Sequence, residues 1–263
     1  MAKVFAIANQ KGGVGKTTSC VNLAASLVAT QRRVLLIDLD PQGNATSGSG
    51  VDKLALEHSV YDVLVGQCDL AQAMQTSEHG GYQLLPANRD LTAAEVTLLD
   101  LPNKEQRLRQ ALAPIRDNYD YILIDCPPAL SMLTVNALVA ADAVIIPMQC
   151  EYYALEGVSD LVNSIQRIGA LLNPSLRIEG ILRTMYDGRI GLTNEVTAQL
   201  QAHFGDALYE TTIPRNVRLA EAPSHGMPAL AYDKGSRGAK AYLELAKELV
   251  ARQRRAKRAA TPA

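Results

Sequence analysis

Residues 11–18 read Lys-Gly-Gly-Val-Gly-Lys-Thr-Thr. Glycine at that density lets a backbone turn back on itself and aim N–H groups at an anion, and a helix starting at the turn adds its positive end. On this reading Gly12, Gly13, Val14, Gly15, Lys16, Thr17 and Thr18 cradle phosphates. Lys16 reaches the outer phosphates of a nucleoside triphosphate, and the Thr17 hydroxyl ligates Mg²⁺. The common pattern GxxxxGK[ST] asks for glycine at position 10, where this chain has Gln10. The dinucleotide pattern GxGxxG also fails, because Thr18 stands in place of its third glycine. The run is a phosphate loop of altered form, with an additional cation, Lys11, ahead of its glycines.

Two apolar runs that end in acids supply the counterpart. Leu35-Leu36-Ile37-Asp38-Leu39-Asp40 places carboxylates at the C-terminal edge of a strand, where open α/β sheets bind ligands. Asp38 and Asp40 are two residues apart, so an extended backbone would aim both the same way. Tyr121-Ile122-Leu123-Ile124-Asp125 ends in a third acid suited to contact with Mg²⁺ through water. Asp38 and Asp125 join Thr17 as candidate metal partners.

The elements that must hold these residues follow from periodicity. Short apolar runs at Val4–Ala8, Val34–Ile37, Tyr82–Pro86, Tyr121–Ile124, Ala143–Ile146 and Arg177–Thr184 read as strands. Helical spacing covers Lys16–Ala29, Asp90–Leu99, Lys104–Ala113, Met132–Ala140, Ala154–Leu172, Leu192–Phe204 and Ala239–Arg252, with a loop over Asp40–Gly50. Strands alternating with helices predict an α/β fold of the P-loop NTPase type, a mostly parallel twisted sheet with helices on both faces. One domain over 1–252 and a basic, flexible tail over 253–263 are expected.

Composition narrows the class. The chain has 263 residues, 48% hydrophobic and 20% charged, which suits a globular protein. The best candidate for a membrane span, Leu138 to Met148, is broken by Asp142, and the N-terminal apolar run is too short for a signal peptide. Cys20, Cys68, Cys126 and Cys150 form no CxxC pair and read as free thiols of a reducing compartment. His58, His79, His203 and His225 show no metal spacing. The net charge of −1 conceals a division: residues 1–176 carry 12 Lys+Arg against 18 Asp+Glu, residues 177–263 carry 14 against 9, and no acid follows Glu248.

The segments KGGVGKTT, LLIDLDPQGN and YILIDCPP together resemble the deviant-Walker ATPases of the ParA/MinD family, and most of all the short chromosomal ParA (Soj) group. TMYDGRIGLTNEV and TTIPRNVRLAEAPSHGMPALAYDKGSRGAKAY extend the likeness through the second half. The resemblance implies an ATP- and Mg²⁺-dependent homodimer that sandwiches two nucleotides. Lys11 would reach across to the partner's phosphates and Asp40 would orient the attacking water, so Lys11, Lys16 and Asp40 form the expected catalytic set. Gly12 would allow the close approach of two subunits. Residues matching Pro214, Arg215 and Asn216, with Met185 nearby, lie around adenine in such proteins.

Relatives differ in the matrix that their ATP dimers bind. A membrane-binding terminus would need large apolar residues, and after Val250 this chain has only Ala. Arg189 and Arg218 match arginines that bind DNA in Soj-like proteins, with Arg215, Lys234, Lys240 and the tail arginines extending the patch. No aromatic residue is interleaved, which favours backbone contact with double-stranded DNA irrespective of sequence. The expected role is a cytoplasmic, nucleoid-associated partitioning ATPase released from DNA by a ParB-type centromere-binding protein. With the first strand at the start of the sequence, direct repression of a specific promoter through an N-terminal operator-binding domain is not expected. Two alternatives stand: positioning of a protein cargo on the nucleoid, and a small-molecule ATP-dependent enzyme built on the same loop.

Overall fold

The computed structural model describes residues 1–152 and 154–259. The first half alternates strand and helix: β1 (Lys3–Ile7), α1 (Lys16–Ala29), β2 (Val34–Asp38), α2 (Asn44–Gly48), α3 (Val60–Val65), α4 (Leu70–Ala73), β3 (Gln75–Thr76), β4 (Gln83–Leu85), α5 (Leu91–Thr97), α6 (Arg107–Leu112) and β5 (Tyr121–Asp125). The second half adds α7 (Met132–Ala140), β6 (Ala143–Gln149), α8 (Ala154–Leu172), β7 (Arg177–Thr184), α9 (Gly191–Phe204), α10 (Val217–Glu221), α11 (Ala229–Tyr232) and α12 (Arg237–Ala259). The strands lie in the order β3-β4-β2-β5-β1-β6-β7. All neighbours are parallel except the short β3–β4 pair.

Alternation along the strands divides the core. Val4, Ala6, Ile37, Ile122 and Ile146 face one helical layer, while Phe5, Ile7, Leu36, Leu123 and Ile145 face the other. Both faces are covered, which is why the strands read as continuous apolar runs. On the second face α12 buries Tyr242, Leu245, Ala246, Leu249 and Val250, the spacing of an amphipathic stripe.

The expected doubly covered parallel sheet is present, and three details differ from the sequence reading. The supposed loop over 40–50 contains α2, and α3, α4, α10 and α11 are short helices whose apolar stripes are too brief to show a period. The last helix starts at Arg237 and continues to Ala259, so the segment from 253 expected as a flexible tail is helical through 259; residues 260–263 lie outside the described residues. Good helix formers carry it past the last apolar contact.

β7 is an edge strand, partly covered by the segment after α9: Tyr209 N–H donates to Ile181 O and Ile213 N–H to Arg183 O, at 3.0 and 2.9 Å. This cover requires glycine at 180, where a Cβ would stand 2.5 Å from the Tyr209 ring and 2.9 Å from Ala207 O. Gly180→Ala should therefore lower stability by about 1–3 kcal/mol through overpacking. A thermal midpoint equal to that of the parent would contradict this account of the edge.

Candidate active site

β1 ends at Ile7, and the chain crosses from Ala8 to Gly15 before α1 begins. Four clamps shape the crossing. Asn9 donates to Pro147 O at 2.8 Å and accepts from Lys11 N–H at 2.9 Å. Gln149, at the end of β6, donates to Gly13 O at 3.0 Å, and Thr184, at the end of β7, donates to Val14 O at 2.8 Å. Lys16 Nζ reaches back to Lys11 O at 3.3 Å. With these carbonyls drawn towards the neighbouring strand ends, the loop's N–H groups are what remains for a ligand. Gly13 and Gly15 have φ of 73° and 87°, a region that excludes most side chains. Gly15 also begins α1, and no side chain caps the free N–H groups there. Lys16 is only 7% exposed, so its ammonium is held inside the loop as a fixed counter-charge.

Register brings the acids to this loop. Asp125 pairs with Ile7 of β1 on one side and with Asp38 of β2 on the other, so both carboxylates lie level with the point where the loop departs. Both are fully buried. Burial raises the pKa of each, and the Asp38 charge raises that of Asp125 further. Cys20 donates to Asp125 at 3.4 Å, yet Oδ2 of that carboxylate is buried with no partner. An orphaned carboxylate oxygen beside a phosphate loop calls for a cation or its hydration water.

Asp38 and Asp40 differ in burial: Asp38 is fully buried and Asp40 half-buried, yet they are close enough for the Asp40 charge to raise the pKa of Asp38. β2 stops at Asp38, and the chain turns, with Gly43 N–H donating to Asp40 O at 2.9 Å. Asp38 accepts from Thr46 N–H at 2.8 Å, Thr46 Oγ1 at 2.7 Å and Asp40 N–H at 3.2 Å. It holds the segment between β2 and α2 in place. Asp40 is half-buried, and one oxygen takes Gln42 N–H at 2.9 Å. That leaves the other oxygen of Asp40 for a water.

A cavity of about 220 Å³ opens from Gly15 and Thr18 and is walled by Met185, Pro214, Arg215, Asn216 and Tyr242, among others. All four residues expected around a base line it. Met185 has φ of 49°, strain of about 1–3 kcal/mol for a non-glycine residue. Its sulfur accepts from Gln149 at 3.1 Å, so one side chain fixes both the phosphate loop and the base wall. Asn216 Oδ1 is buried without a partner, an acceptor suited to an exocyclic amine. Phosphate cradle, orphaned acid and orphaned amide are the groups an adenine nucleotide with Mg²⁺ calls for, and the residues present fit both.

Arg218 precedes Leu219 and Ala220, which line this cavity, and Arg189 follows the lining residue Met185 by four positions; the two are termed the rim arginines. Arg237, at the start of α12, acts electrostatically on Asp187, and Gly238 packs against Leu219 next to Arg218, which gathers them on one surface. Each is held by acid in the isolated chain: Arg189 by Asp187 at 2.6 Å, Arg218 by Glu221 at 2.7 Å and Asp233 at 3.3 Å. Lys11 points away from its own loop and pairs with Glu151 at 2.5 Å, with both side chains about half exposed. Glu151, Asn9, Gln149 and Thr184 were not legible as site residues, because their partners are distant in sequence; Ser19, bonded to Tyr242 at 3.0 Å across 223 positions, is another.

The chain matches the AAA_31 family, an AAA domain, over residues 2–178. It is 52% identical over 251 residues to the sporulation initiation inhibitor protein Soj of Bacillus subtilis, covering 95% of this chain and 99% of that protein. It is 50% identical over 254 residues to the chromosome partitioning protein ParA of Caulobacter vibrioides, covering 96% and 95%. Among solved structures it is similar to cobyrinic acid a,c-diamide synthase of Mycobacterium smegmatis with bound ADP and magnesium, with a TM-score of 0.83 and 39% identity over 95% of this chain and 94% of the other.

Proposed function

This chain belongs to the AAA_31 family and, within it, to the Soj/ParA chromosome-partitioning ATPases, and from that premise we propose that its ATP-bound form is a sandwich dimer that holds nucleoid DNA until hydrolysis releases it. ATP with Mg²⁺ is the substrate complex. Thr17 would hold the ion directly, with Asp125 and Asp38 behind it, and the ion supplies positive charge against the phosphates.

Lys16 neutralises the outer phosphates from within the loop, and Asn216 receives the adenine amine. Lys11 works in trans. The observation that carries this reading is its placement: the side chain leaves its own loop for Glu151 on the surface. Gly12 supports it. A Cβ there meets nothing within 4 Å, so no contact within the chain demands glycine, whereas a second subunit pressed on this face would. In the dimer Lys11 exchanges the Glu151 carboxylate for the partner's triphosphate, a far denser negative charge. Asp40 orients the attacking water. Its position on a turn, half-open to solvent, makes the unaided reaction slow, and a ParB-type partner would order it.

The rim arginines meet DNA phosphates, and dimerisation doubles the number presented. Retention on random-sequence duplex should be far stronger with ATP than with ADP and should fall steeply with salt. Arg189→Glu should keep ATP binding and ATP-dependent dimerisation yet lose DNA by at least about tenfold, since one attractive contact becomes repulsive. Sedimentation of the nucleotide-bound protein together with DNA anisotropy tests all of this; a protein that stays monomeric with saturating ATP and Mg²⁺ would sink the proposal. The likeness to a diamide synthase raises a small-molecule reading, which predicts ATP turnover that depends on a carboxylic acid substrate and is indifferent to DNA.

A further inference from the structure

α12 runs antiparallel to the strands, from the nucleotide end of the sheet to the far end. Tyr242 lines the base cavity, whereas Gln253 donates to Glu179 near the start of β7, and Arg254 lies close enough to Tyr121, at the start of β5, to act on its phenol. From Tyr242 to Arg258 is about 24 Å of helix rise. The tail cations therefore do not extend the Arg189 and Arg218 surface; they stand at the opposite pole.

Five cations fall within residues 252–258. Arg252 is structural: it donates to Asp206 O and Leu208 O at 2.8 and 2.7 Å, pairs with Glu248 at 2.8 Å, and its guanidinium stacks on Tyr209 at 4.3 Å. Of the nearby acids, Glu248 is turned onto Glu210 N–H and Thr211 N–H, and Glu179 onto Gln253 and Arg177, while the exposed Asp206 and Glu210 line the same cleft as Arg255. Arg254, Arg255 and Arg258 are exposed, and among the described residues none is paired with a carboxylate. The helix dipole favours one or two cations at this end, fewer than these three arginines supply. A cationic helix end with Ala as its only apolar residue offers nothing to insert into lipid, and its exposed arginines suit the phosphates of a duplex.

Resting on the reading that the protein binds nucleoid DNA, we infer that Arg254, Arg255 and Arg258 form a second duplex-backbone contact surface, on the pole opposite the nucleotide. It differs in kind from the rim. The rim depends on dimerisation, while the far pole is complete in a single chain and acts in every nucleotide state. The ADP form keeps a weak hold on DNA through it, and an ATP dimer has two outward poles with which to engage a second duplex.

The test is the full-length variant Arg254→Gln/Arg255→Gln/Arg258→Gln, which keeps good helix formers, beside the parent and Arg189→Glu. Anisotropy of a random duplex is followed between about 50 and about 200 mM salt with ADP and with ATP. The variant should lose at least tenfold in ADP-state affinity at the lower salt, and its log–log salt slope should be shallower by about 2.7, about 0.9 per lost phosphate contact. Between those salts the parent then loses about 40-fold more affinity than the variant. ATP-dependent dimerisation should be unchanged, and Arg189→Glu should spare the ADP-state binding. Equal affinity and slope for variant and parent would overturn the far-pole surface while leaving the function intact, as would tail-dependent retention on anionic vesicles without loss of DNA. A parent that binds no duplex in any state would overturn the partition reading and the second surface together.

Discussion

Lys11→Ala is expected to reduce ATP turnover by about 10³-fold, the scale of removing a cation supplied in trans to a transferring phosphoryl group. Nucleotide binding by the single chain should survive, because the cradle's N–H groups, Lys16 and the base cavity are untouched. A deletion alone does not separate a trans role from a cis one; complementation does. In the proposed two-fold dimer each site would combine one chain's Asp40 with the other chain's Lys11. Lys11→Ala and Asp40→Ala should each be nearly inactive alone. Mixed as ADP-bound monomers and then given ATP, they form heterodimers in which the Lys11→Ala chain keeps its Asp40 and receives its partner's Lys11. Random pairing makes half the dimers mixed, each with one complete site, so about a quarter of parental turnover should return. A mixture as inactive as its components would place Lys11 in the loop that it precedes. Glu151→Gln provides a second view: removing the Lys11 tether should shift dimerisation to lower ATP.

The two halves of the site were legible to different depths. Gly12 to Thr18 and the acids at 38, 40 and 125 were readable because each is a local signal: a turn that only glycine permits, or an apolar run ending in a carboxylate. The parallel sheet was readable for the same reason, since burial on both faces imposes unbroken apolar runs. Glu151, Gln149 and Thr184 carry no local signal. They belong to the site because β6 and β7 end beside β1, and that adjacency is a property of strand order. Asp38 shows the limit from the other side. Spacing of two predicted acids aimed the same way, but it could not show that the strand ends at Asp38 and leaves the two with unequal burial. The C-terminal cations were read correctly as charge and wrongly as place, because nothing in their own sequence reveals that α12 carries them to the far end of the sheet.

That unequal burial of the two acids makes opposite predictions for their loss. Asp38 is buried, with three donors directed at it, two of them from Thr46, whose hydroxyl also accepts from Ala87 N–H at 2.9 Å. Asp38→Ala leaves those donors unsatisfied and should destabilise the fold by several kcal/mol, with ATP binding impaired as a consequence. Asp40 anchors little, since its one bond to Gln42 N–H lies on an exposed turn. Asp40→Ala should leave the thermal midpoint nearly unchanged and should still form the ATP dimer. Its turnover should fall by about 10²–10⁴-fold, the range for loss of a group that positions or deprotonates an attacking water. The product of that imbalance is a trapped state: ATP is held, the dimer does not open, and the rim arginines stay on DNA. Pre-loading the protein on duplex with ATP and then removing free nucleotide should release the parent over its turnover time and retain the variant far longer. Parental turnover by Asp40→Ala, or prompt release from DNA, would take the water-positioning role away from Asp40 and remove the reason for the half-open turn on which it sits.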